Sequence, residues 1–129
     1  MPTSFLSPLL KEPQRSFKLI NRRNGHVVAT EVLTAFDSKS RNRGLLGIDG
    51  FQAGRALIIA PTNAIHTWFM RFPIDVAFVA RDGRVVKVRH RLRPWRMSGA
   101  IRGYAVIELP PGTLAAADTV AEDVLSLEL

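Results

Sequence analysis

The apolar stretches of this chain are short, and a proline, a glycine or a polar turn stops each of them. Arg55-Ala56-Leu57-Ile58-Ile59-Ala60 ends at Pro61, and Ile65 through Phe72 ends at Pro73. Ile74-Asp75-Val76-Ala77-Phe78-Val79-Ala80 ends in the turn Arg81-Asp82-Gly83. Runs of this length suit strands and fall short of most helices, so the punctuation selects a β-rich fold. Phe17 to Ile20 and His26 to Leu33 read as a hairpin, because Asn24-Gly25 between them supplies the positive φ of a tight turn. Further strands are expected at 65–72, 74–80, 84–93, 103–109 and 123–129, with Pro73 marking a bend, bulge or strand boundary. Asp37 is a natural cap for a helix over Ser38 to Arg43, which Gly44 or Gly47 can end. Thr113 to Thr119 fits one helical turn or a loop. The expectation is a mainly β domain of the α+β kind: a small, compact, barrel-like antiparallel or mixed sheet with one principal short helix.

A chain of 129 residues suits one domain, able to bury a core without a metal or disulfide staple. Residues 1–15, with Pro2, Pro8 and Pro13 and no periodicity, read as a loose leader that can drape over a domain spanning 16–129. The absence of cysteine excludes disulfides, thiolate nucleophiles and cysteine metal sites. The start lacks the basic and apolar regions of a signal peptide, and no run approaches a membrane span, so the sequence reads as cytoplasmic.

Lys and Arg number 18 against 11 Asp and Glu, a net +7, but the excess is unevenly spread. Residues 83–107 carry seven cations and no acid; residues 108–129 carry five acids and no base. Within the basic stretch Lys87, Arg89, Arg91 and Arg93 alternate with Val86, Val88, His90 and Leu92. On a regular strand the four cations share one face at about 6.7 Å steps. Continued through Trp95 and Arg96, this is a candidate rail for a polyanion such as nucleic acid, anionic lipid or acidic polysaccharide. The competing reading is a charged edge strand that discourages aggregation, or one neutralised by acids of the last segment such as Asp123 and Glu128.

Two carboxylates conflict with their settings. Asp75 lies between Ile74 and Val76, and Glu108 between Ile107 and Leu109. A buried carboxylate must be paired, hydrogen-bonded or protonated, and Arg43, Arg71, His66 or backbone amides at the Pro73 bend are candidate partners. Strand alternation puts His66, Trp68, Met70 and Phe72 on one face and Arg71 on the other, so His66 and Arg71 reach the same carboxylate only through a bulge. The functional reading is a pocket near Pro73 in which Arg43, His66, Asp75 and Glu108 bind a small polar ligand or glycan beside the flat face of Trp68. The structural reading is a buried ion pair that fixes strand register, with Trp68 in the core. A hydrolase could use His66 as a base oriented by Asp75, or Asp75 with Glu108 as a carboxylate pair, but no nucleophile elbow is present. Phosphate-loop and dinucleotide fingerprints are absent, and His26, His66 and His90 are isolated, so neither cofactor nor metal is expected.

Four segments in this order resemble the family called domain of unknown function 192: Arg41-Asn42-Arg43-Gly44-Leu45-Leu46, Ile65 through Val79, Asp82-Gly83-Arg84-Val85-Val86, and Val106-Ile107-Glu108-Leu109-Pro110-Pro111-Gly112. The resemblance spans about residues 17–129. It implies a bacterial or archaeal, mainly β, barrel-like domain with one principal helix and no established activity. Three positions depart from the family pattern: Leu46 replaces a methionine, Gly47 an arginine, and Glu122-Asp123 a Gly-Asp pair. The sequence therefore reads as a binding or accessory module more readily than as an enzyme.

Overall fold

The computed structural model describes residues 4–45 and 50–129; Leu46 and Gly47 lie outside them. The hairpin forms between β1 (Lys18–Asn21) and β2 (Val27–Ala29), antiparallel across Gly25, whose φ is +75°, but its second strand, read over 26–33, stops at Ala29, and residues 31–33 join another sheet. The other edge of β1 takes the last strand, β10 (Leu125–Glu128), giving a three-stranded sheet.

The main sheet has five strands: β3 (Glu31–Ala35), β4 (Arg55–Ile59), β6 (Ile74–Val79), β7 (Val85–Leu92) and β9 (Ala105–Leu109). Their spatial order is β3-β4-β9-β6-β7, with only β3 and β4 parallel. A two-stranded ribbon of β5 (Ala64–His66) and β8 (Met97–Gly99) completes a mainly β fold of three sheets, barrel-like only in a loose sense because no single sheet closes on itself.

The central strands β6 and β9 are buried along their whole length. Each face of the main sheet carries its own apolar cluster. On one, Ile58, Ala77, Val79 and Ile107 meet Leu19, Leu114 and Leu125; on the other, Leu57, Ile59, Val76, Phe78 and Val106 meet Leu45, Met70 and Leu92. Cover on both faces explains why these strands read as continuous apolar runs instead of alternating ones. The segment expected as a loose leader forms α1 (Ser7–Lys11) and buries Phe5, Leu6 and Leu9 in the first cluster. Its entry is tied by the Phe5 amide, which donates to the Arg81 carbonyl at 2.8 Å.

The expected helix is α2 (Ser38–Arg43), closed at its start by a reciprocal capping box between Asp37 and Ser40 and at its end by Gly44. The alanine-rich segment supplies α3 (Thr113–Ala116).

Two expectations change. The strand read over 65–72 stops at His66, so the proposed common face of His66, Trp68, Met70 and Phe72 does not form. Thr67 turns inward instead: its hydroxyl donates to the Arg93 carbonyl at 2.6 Å and accepts from the Arg96 amide at 2.9 Å. These bonds to a distant loop take the place of a continuing ladder, and Phe69 enters the left-handed region at φ +65°. Strand β7 also loses its alternation. Ile74 faces Leu92 and Val76 faces Arg89, so two steps on β6 meet three on β7, a bulge at which Arg91 has φ +50°. The ribbon strand β8 has no apolar alternation and was not anticipated.

Candidate functional site

Glu108 occupies the middle of the sheet. It pairs with Leu57 on one side and Val76 on the other, so its side chain leaves the sheet among apolar neighbours and is only 5% exposed. Among the described residues no donor hydrogen-bonds its carboxyl, and burial raises its pKa to about 7. The carboxyl faces a cavity of about 210 Å³. Arg41, Arg43 and Gly44 of the α2 end form one wall; Thr62, Ile65 and His66 form another. Gly44, at φ +48°, ends the helix beside the carboxyl, and a Cβ built there would lie in ordinary contact, 4.0 Å from Glu108 Oε1.

The polar groups around the cavity differ in freedom. Arg41 is committed, donating through Nη1 to the Phe36 carbonyl at 2.7 Å and through Nη2 to the Ser38 hydroxyl at 3.3 Å. Arg43 is exposed and has no hydrogen-bond partner among the described residues. His66 accepts the Trp68 amide at Nδ1 and stacks on the Trp68 ring, with centroids 4.5 Å apart. That bond occupies Nδ1 and leaves Nε2 as the ring nitrogen open to another partner. The arrangement is a buried acid on an apolar floor beneath a rim of guanidinium and imidazole.

Asp75 does not belong to this cluster. It pairs with Leu109, one residue along from Glu108, and successive residues of a strand point to opposite faces. Its carboxylate is fully buried and accepts the amides of Arg91 and Leu114, both at 2.9 Å. Backbone amides therefore satisfy it, though not those of the Pro73 bend, and it makes no hydrogen bond with His66, Arg43 or Arg71. A carboxylate pair of Asp75 with Glu108 is ruled out by the sheet between them. Arg71 is exposed and outside the cavity lining, and Trp68 is 41% exposed instead of core. Sequence reading thus named Arg43, His66 and Glu108, which meet. The helix reading contains Arg41 and ends at Gly44, but nothing local to the sequence places these two or Thr62 at the cavity.

The basic strand does not present a single rail. Lys87 lies over the Phe78 ring and donates to the Gly99 carbonyl at 2.8 Å, while Arg89 donates to the Ser98 hydroxyl at 3.2 Å. Both thus clasp β8. The bulge brings Arg91 against Gly112, although Arg91 stays exposed, and Arg93 and Arg96 are exposed beyond it. The acids of the last segment do not neutralise these four: Asp123 takes Arg23, Glu122 takes Arg84, and Glu128 accepts the Ser126 hydroxyl. Among the described residues no three His, Asp or Glu side chains group as metal ligands, and no helix is long and apolar enough to cross a membrane.

Fold and cleft together define a class: a small domain whose five-stranded sheet is covered on both faces and carries one buried acid beneath a surface cavity. The chain belongs to the DUF192 family, described as an uncharacterized ACR, whose model matches residues 19–127. Two solved structures share the fold. One is a proposed transcription regulator from Sinorhizobium meliloti 1021, with a TM-score of 0.76 and 19% identity over 86% of this chain and 91% of that one. The other is a protein of unknown function from Novosphingobium aromaticivorans DSM 12444, with a TM-score of 0.74 and 19% identity over 86% and 83%. No curated protein matches the sequence.

Proposed function

We propose that the cleft above Glu108 binds a small polar ligand of the sugar class, and that the protein acts as a binding or accessory module. The observation that carries this reading is the Glu108 carboxyl itself, 95% buried, unbonded among the described residues and facing a cavity. The cavity is the path by which the Glu108 carboxyl meets water, so a ligand hydroxyl or carboxyl bonded there takes the place of solvent. A pKa near 7 lets the same group donate to one ligand oxygen or accept from another hydroxyl. The cavity, about 210 Å³, falls below the roughly 300–1,000 Å³ of a drug-sized pocket and suits a monosaccharide. Arg43 adds a cation at the rim, favouring a sugar acid over a neutral sugar.

The test is an amide-shift titration of the labelled protein with glucose, N-acetylglucosamine and glucuronate at millimolar concentration. Shifts gathered at Gly44, Leu45, Ile65, His66 and Glu108, strongest with glucuronate and lost in Glu108→Leu, are expected. Perturbation elsewhere, or none with any of the three, would overturn the reading.

A further inference from the structure

The loops that leave β5 and β7 meet outside the cleft, and Thr67 holds them together. Besides its hydroxyl bonds, its amide donates to the Arg96 carbonyl at 2.8 Å and its carbonyl accepts the Trp95 amide at 3.0 Å. Both loops then place a bulky aromatic residue in the left-handed region, Phe69 at φ +65° and Trp95 at φ +66°. The two rings touch, with centroids 4.6 Å apart, yet Phe69 is 69% and Trp95 56% exposed. Backbone in this region is unfavourable for such residues, and here it burdens the fold while presenting both rings to water.

The ribbon extends the same surface. Ser98 accepts Arg89 from the main sheet, so its strand neighbour Met97 points away from that sheet and is 67% exposed. Met97 pairs with His66, on which Trp68 stacks. Trp68, Phe69, Trp95 and Met97 thus form an exposed apolar surface. Arg93 and Arg96 bracket Trp95, are exposed, and face no carboxylate among the described residues. No acid occurs between residues 83 and 107. Amphipathic aromatics beside basic side chains match the boundary between headgroups and acyl chains, where rings and a thioether enter the apolar side and guanidinium groups meet phosphate.

We propose that this surface docks the protein on an anionic lipid bilayer, with Phe69, Trp95 and Met97 at the acyl boundary and Arg93 and Arg96 on the headgroup phosphates. A single nucleic-acid strand is the competing polyanion. The ring planes of Phe69 and Trp95 are tilted by 59°, so they cover each other's edges instead of offering parallel platforms for successive bases, and Met97 has no stacking face.

The experiment uses the full chain with vesicles of phosphatidylcholine alone and of phosphatidylcholine with phosphatidylglycerol, read by co-sedimentation and tryptophan fluorescence. Partitioning that requires phosphatidylglycerol, weakens with salt and shifts the emission to the blue is expected. Phe69→Gly and Met97→Ser should each lower it about tenfold. Phe69→Gly suits the left-handed backbone and so keeps the fold, as circular dichroism would verify. Arg93→Gln with Arg96→Gln should flatten the salt dependence, and Leu10→Ser, an exposed apolar position away from this surface, should change nothing. Three results would each overturn the proposal: no binding to the anionic vesicles at low salt, binding indifferent to these variants, or displacement of bound vesicles by a single-stranded oligonucleotide that occupies the same residues. Sugar titration of Phe69→Gly reads the cleft separately, so the two sites stand or fall independently.

Discussion

Glu122 has φ +81°, a backbone region in which a side chain is strained and glycine is not. Its only side-chain partner among the described residues is Arg84 at 3.0 Å, in an ion pair whose glutamate end is 72% exposed and therefore contributes little. Glu122→Gly should raise stability by roughly 0.5–1 kcal/mol, a gain of about 2–5 °C in melting temperature by calorimetry. Glu108 acts in the opposite direction. Its folded pKa of about 7 lies above the ordinary 4.5, so the stability it permits is complete below about pH 4.5 and is lost as pH rises through 7. Glu108→Gln, of nearly the same shape, should match the parent near pH 5 and exceed it by up to roughly 3 kcal/mol above pH 8 in urea titrations. Equal stabilities at both values would show that the carboxyl is not held in an apolar setting.

At the scale of elements, Asp75 links three of them. From β6 it holds the amide of Arg91 at the β7 bulge and that of Leu114 in α3. Asp75→Asn must turn an amide nitrogen toward one of these N–H groups, at a cost of about 2–3 kcal/mol. Hydrogen exchange should then quicken first at Arg91 and Leu114, while the cleft, on the other face, keeps its ligand shifts. The same elements show what was legible in the chain. Asn24-Gly25 and the Asp37 cap announced their structures because each uses bonds within a few residues. Asp75 could be recognised as buried, but its partners lie 16 and 39 residues away, and alternation along one strand cannot reveal them. The inward turn of Thr67 is hidden for the same reason: it depends on carbonyls 26 and 29 residues distant. The four-cation rail failed because alternation presumes a regular ladder, whereas the bulges in β7 shift the pairing register twice.

For the molecule as a whole, two carboxyls bracket the pH of greatest stability. Asp123 accepts Arg23 at 2.6 Å, the Asn21 amide group at 2.9 Å and the Val120 amide at 2.9 Å, and these bonds, with Arg23 foremost, lower its pKa from 3.8 to about 2. Its contribution is present above about pH 4 and disappears as pH falls toward 2, the reverse of Glu108. Discounted for the half-exposed Arg23, it amounts to about 1–2 kcal/mol. Stability should therefore climb between pH 2 and 4 and decline between about pH 5 and 8. Asp123→Asn should shrink the climb, leaving the part held by the Asp37 cap, and Glu108→Gln should remove the decline, each measured by thermal melts across that range. A profile in which either variant leaves its limb unchanged would contradict the assignment.

The strand-rich class, the hairpin, the capped helix and the burial of Asp75 and Glu108 followed from the sequence by itself, because turn chemistry, capping and apolar run length act locally. Which face each carboxyl occupies, and which partners it finds, only the tertiary structure decided. Strand order places β9 between β4 and β6, covers both faces and leaves adjacent registers to send Asp75 to backbone amides and Glu108 to an open cavity. Those outcomes depend on pairings between residues far apart in the chain, which no local pattern encodes.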